Sequence, residues 1–67
     1  MVVSENNTIT ITAELSDSEA LAFAQFLKRA GHSDYHANAV DTDEAYEMLY
    51  AGEKIRRALA EAGYAPR

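Results

Sequence analysis

Polar and apolar residues alternate strictly near the start of the chain. Thr8, Thr10 and Thr12 interleave with Ile9, Ile11 and Ala13. This period-two pattern in β-branched residues predicts a half-buried β-strand over about residues 7–15, with the Ile face on the core and the Thr face in water. Residues 1–4 either extend that strand or fold back through a weak turn at Glu5-Asn6-Asn7. The period then changes. Ser16-Asp17-Ser18-Glu19 is a capping box, in which the Ser16 hydroxyl and the Glu19 carboxylate each accept from the other residue's backbone N–H. It predicts a helix over about residues 17–30, with Gly31 as its left-handed stop. The apolar positions Ala20, Leu21, Phe23, Ala24, Phe26, Leu27 and Ala30 cover more than one stripe, as expected of a central helix buried on two sides.

Residues 32–40 fit either a short helical turn from Ser33 to Asn38 or an extended run, and the short helix is preferred. Asp41 then caps a long helix over about residues 42–62, with Glu44 completing a second box and Gly63 ending it. Ala45, Met48, Leu49, Gly52, Ile55, Leu59 and Ala62 recur at three- and four-residue steps and form one clean stripe. A glycine inside a helix costs about 1 kcal/mol relative to alanine. Gly52 therefore predicts a close crossing, expected with the first long helix. Pro66 keeps the helix from resuming. The expected fold class is α+β: an N-terminal strand, two main helices and a short helical turn between them.

A lone strand leaves its N–H and C=O groups unpaired. Either another piece of this chain or the same strand of a second copy must pair with it. Monomer and homodimer both remain open.

The 67 residues make one small domain. A domain of this size buries only about 60% of its unfolded surface, and without cysteine it has no disulfide to reinforce the core. Four Gly and Pro residues in all argue against disorder. No apolar run reaches membrane-spanning length and no basic-then-apolar leader is present, so a cytoplasmic protein is expected.

Eleven acids against six bases give a net charge of −5. This balance disfavours direct nucleic-acid binding, which needs clustered Lys and Arg to neutralise phosphates. It favours a basic protein surface as partner. The charge is also uneven. From Ala30 to Glu53 there are six acids (Asp34, Asp41, Asp43, Glu44, Glu47, Glu53) and no Lys or Arg, with Tyr35, Tyr46 and Tyr50 among them.

Helix stability alone accounts for much of this layout, because acids at helix starts and bases toward helix ends complement the macrodipole. It does not account for Tyr46 and Tyr50, which are four apart on one helix face beside Asp43 and Glu47. Tyrosine offers large contact area with few rotatable bonds, and Arg and Lys both pair with carboxylates and stack on rings. The candidate partner-binding residues are Asp34, Asp41, Asp43, Glu44, Tyr46, Glu47 and Tyr50.

Chemistry is otherwise sparse. His32 and His36 share a helix face at four-residue spacing, but lack the Glu of a metalloprotease motif and a third histidine. No serine lies in a nucleophile-elbow context, and no Gly-rich phosphate loop exists. No enzyme, cofactor or metal is expected.

Residues 10–29, 39–48 and 58–67 carry a resemblance that spans residues 8–67. The chain is similar to a family of very small proteins of phages and other mobile elements of proteobacteria. Some of these are anti-CRISPR inhibitors, and the chain resembles an inhibitor of the type I-C surveillance complex. The resemblance implies a non-enzymatic protein that acts in the host cytoplasm. It would bind Cascade and block target DNA, as an acidic DNA mimic on a basic DNA-contacting subunit. The alternative is a small homodimeric adaptor of a mobile element with no CRISPR role.

Overall fold

A computed structural model describes residues 7–65. Those residues form three helices and no sheet: α1 at Asp17–Arg29, α2 at His32–Ala37 and α3 at Thr42–Glu61. The expected α+β class is therefore corrected to an all-helical arrangement of the described residues. Residues 7–16 belong to no helix or strand, and they pair with no strand among the described residues. Alternation only makes a segment compatible with a strand. A strand also needs a partner, which alternation does not supply. The expectations for residues 1–4 and for Pro66 lie outside the described residues.

The helix boundaries follow local chemistry. At α1 the capping box is complete: Glu19 N–H donates to Ser16 Oγ (3.1 Å) and Ser16 N–H to Glu19 Oε1 (2.8 Å). At α3, Glu44 N–H donates to Asp41 Oδ1 (2.8 Å), while the Glu44 carboxylate accepts from Val40 N–H (2.8 Å). The second box thus reaches back one residue further than expected. The end of α3 is a Schellman motif, with Gly63 N–H bonded to Ala60 C=O and Tyr64 N–H to Leu59 C=O. Gly63 has φ +105°, a conformation that a side chain disfavours.

Gly31 does not act as a left-handed stop. Helix α1 ends because Ala30 turns extended (ψ 122°). Gly31 instead caps α2, and its N–H donates to the Asp34 carboxylate (2.8 Å). The short helix thus begins at His32, ahead of the expected Ser33 cap.

Helix α3 is the spine, and both α1 and α2 pack on it. The Tyr64 hydroxyl, just beyond α3, donates to Asp17 at the start of α1, so α1 and α3 run antiparallel. The core between them is Ala20, Ala24, Leu27 and Leu59, with Ile55 and Tyr64 packed on its edge. Alanines at 20 and 24 let the two helices approach closely. The α3 stripe is as predicted through Leu59, but Ala62 is exposed.

Two expectations about α1 and Gly52 are corrected. Helix α1 is buried along one stripe only, and Leu21, Phe23 and Phe26 are 45%, 43% and 56% exposed. Gly52 is buried as predicted, but its close neighbour is Tyr35 of α2 rather than α1. A Cβ at Gly52 would overlap the Tyr35 hydroxyl and stand 3.1 Å from its Cζ. The missing side chain makes room for that ring.

Candidate functional site

One face of α3 carries the aromatic and acidic residues, and a helical step explains their grouping. Asp43, Tyr46, Glu47 and Tyr50 recur at three and four residues on the side opposite the Ala45–Gly52–Leu59 stripe. Buried Ala45 and Leu59 hold α3 on its partners, so the opposite side is left outward. Tyr46 and Tyr50 are 43% and 56% exposed, and their rings stack with centroids 6.1 Å apart.

Helix α2 extends this stack. Its packing on α3 brings His32 over Tyr46 at 4.8 Å between centroids, and His36 lies 5.8 Å from His32. The result is a row of four rings, His36–His32–Tyr46–Tyr50, crossing from one helix to the other. Tyr46 and Tyr50 are legible in the sequence as one face, whereas the spacing of His32 and His36 suggests only a weak metal pair. The signal for joining them was their shared four-residue spacing, 32/36 and 46/50. That the two pairs meet depends on how α2 docks, which no local pattern records.

The seven candidate residues divide by what their side chains already do. Asp34 accepts from Gly31 N–H, Asp41 from Glu44 N–H, and Glu44 from Val40 N–H. These three carboxylates hold helix starts in place, and Glu44 is half-buried. Asp43 and Glu47 are exposed and have no hydrogen bond or ion pair among the described residues. Glu53, one turn beyond Tyr50, lies 3.8 Å from Arg56. The outward site is therefore the ring row with Asp43 and Glu47, while Asp34, Asp41 and Glu44 support its frame. Such a row can stack a guanidinium on a ring face and pair it with a neighbouring carboxylate.

The described residues hold no cluster of three or more His, Cys, Asp or Glu arranged for a metal ion. The pKa of Tyr64 is raised above 10.0, first by its hydrogen bond to Asp17, then by burial and by the Asp17 charge. Among the described residues no helix is long and apolar enough to cross a membrane.

A family model described as a family of unknown function, DUF7706, matches residues 1–67. The chain belongs to that family. No curated protein and no solved structure matches it. The match spans the whole chain and carries no activity with it; what this DUF7706 protein offers a partner is the ring row and the charge.

Proposed function

We propose that this DUF7706 protein is a non-catalytic binding module that takes an Arg- and Lys-bearing protein surface on its ring row. The observation that carries this reading is the exposed stack His36–His32–Tyr46–Tyr50 beside two unengaged acids, Asp43 and Glu47. Exposed rings have an affinity for guanidinium that exposed aliphatic side chains lack. A chain at net charge −5 is also steered toward basic partners over distances of about a Debye length.

The partner proposed is a DNA-contacting subunit of a type I Cascade complex, of type I-C. Binding there would block target DNA by occupying a groove that otherwise holds phosphates. The resemblance to small mobile-element anti-CRISPR proteins supports this choice, and an acidic face opposite a basic groove agrees with it. The site of action is then the host cytoplasm.

The test is capture of tagged protein from a host strain carrying an active type I-C system, followed by a plasmid-interference assay. Recovery of Cascade subunits, with loss of interference, is the expected result. Capture of a different basic protein with interference intact would leave the binding module standing and remove the CRISPR role. The chain would then be an adaptor of its mobile element.

A further inference from the structure

Two unpartnered features lie side by side in the described chain. The first is backbone. Residues 8–15 belong to no helix or strand, and none of their N–H or C=O groups is bonded among the described residues. The second is apolar. Ile11, Ala13 and Leu15 of that segment line an open groove with Ala22, Phe23 and Phe26 of α1 and Ile55 of α3. Phe23 and Phe26 stack at 5.7 Å and form its floor. Ile9 and Ile11 remain 88% and 70% exposed, and Leu15 is 49% exposed.

We propose that a second copy of this chain covers this face across a two-fold axis, with the two segments antiparallel and the Phe23–Phe26 floors on the same side of the pair. Among the described residues the segment forms no sheet; the proposed pairing is a property of the assembly. Three observations point to a second copy as the occupant.

The first is size. Ile9, Ile11, Leu15, Phe23 and Phe26 together expose roughly 600 Å², at the upper limit of the largest patch on an ordinary monomer and near the ~800 Å² each side contributes to a stable interface. The second is openness. The radius of gyration is 13.5 Å, against about 11 Å for a compact chain of this length. The third is charge. The groove lining holds one charged residue, Glu19, and it is engaged in its capping box. The remaining charge of an acidic chain lies elsewhere, so two copies can approach here despite their net charge.

The sequence also fixes a register. In an antiparallel pair, residues directly opposite each other point to the same face. Two copies therefore keep Thr opposite Thr and apolar opposite apolar only if the numbers of facing residues add to an even total. A two-fold axis through Thr10 is the one that pairs every Thr with Thr and every Ile with Ile over residues 8–12: Thr8 faces Thr12, and Ile9 faces Ile11. All the Ile side chains then lie on the side of the aromatic floor, and all the Thr side chains on the other. A shift by one residue would place Thr opposite Ile along the whole ribbon.

This surface shares no residue with the ring row, so the two proposals stand or fall separately. The chain has no cysteine, which makes single-cysteine cross-linking clean. Residues facing each other on an axis have Cα atoms about 4.5–5.5 Å apart, within disulfide range. Oxidised Thr10→Cys should form a covalent dimer. Thr8→Cys alone should not, and a mixture of Thr8→Cys with Thr12→Cys should.

In sedimentation equilibrium the untagged full chain should be dimeric. Phe26→Glu should raise the dimer dissociation constant at least about tenfold, from loss of one buried aromatic side chain, with helix content by circular dichroism unchanged. A parent that stays monomeric from micromolar to millimolar concentration overturns the proposal, and the groove then belongs to another part of the chain or to a different protein. So does a dimer that survives Phe26→Glu and shows no Thr10→Cys cross-link.

Discussion

Tyr64 links three parts of the molecule through one side chain. Its N–H closes the Schellman motif on α3, its ring packs on the Ala20–Leu59 core, and its hydroxyl donates to Asp17 at the start of α1. The hydroxyl donates only while protonated, and the hydrogen bond to Asp17 raises its pKa above 10.0. A group whose pKa is raised by folding contributes stability that is fully present below its unfolded value. That contribution is lost as pH rises through the folded-state value. Tyr64→Phe should therefore melt below the parent at neutral pH, and the gap between the two melting curves should close above pH 10. A gap that stays constant through that range would mean that the protonated hydroxyl and its bond to Asp17 are not its source. Gly52 makes a complementary case. Gly52→Leu should destabilise by about 1–3 kcal/mol, by forcing Tyr35 out of its place. Gly52→Ala should show the full helix-propensity gain of about 1 kcal/mol only when Tyr35 is first cut to Ala. Equal effects of Gly52→Ala in both backgrounds, by chemical denaturation, would show that the ring and the glycine are not coupled.

The elements begin and end where neighbouring residues dictate, which is why their boundaries were largely legible in the sequence. Ser16 with Glu19, Asp41 with Glu44, and Gly63 act over three or four residues, and each does in the structure what its position implies. Gly31 departs from the expected stop because a glycine after a helix is also a glycine before the next one, and the Asp34 carboxylate decides between the two. Docking was less legible. The pattern of α1 shows that Phe23 and Phe26 are apolar, not what covers them. The spacing of Gly52 shows a close approach, not that Tyr35 makes it. The Thr/Ile alternation is compatible with a strand, but pairing depends on atoms that the local pattern does not contain. The cap at Asp41 allows a direct test at this scale. Asp41→Ala should lower stability by about 1 kcal/mol, because Glu44 N–H loses its acceptor. Asp43→Ala, one turn position away and without a hydrogen-bond partner, should stay within about 0.5 kcal/mol of the parent. Similar losses from both variants would mean that the dipole alone, and not the cap, sets the start of α3.

At the scale of the whole molecule, the acids serve two different ends, and the geometry separates them. Asp34, Asp41 and Glu44 hold helix starts, so reversing their charge would damage the fold and say little about binding. Asp43 and Glu47 hold nothing within the chain, and they flank the ring row. Asp43→Lys with Glu47→Lys is therefore the informative pair. Each substitution should change stability by only about 0.3–1 kcal/mol, through the exposed end of the α3 dipole. Against a basic surface, however, the same pair puts like charges opposite each other, which can cost several kcal/mol of affinity. Tyr50→Ala removes a ring from the end of the row without touching the buried stripe, and should weaken binding by about 1–2 kcal/mol while the melting curve stays in place. The readings are a thermal melt and an affinity for captured Cascade at low and high salt. If the charge model is right, the parent loses affinity as salt rises, and the double variant starts weak and changes little. If the folded double variant binds as tightly as the parent at both salt concentrations, the acids are only helix chemistry, and the basic-groove reading fails even for the correct partner.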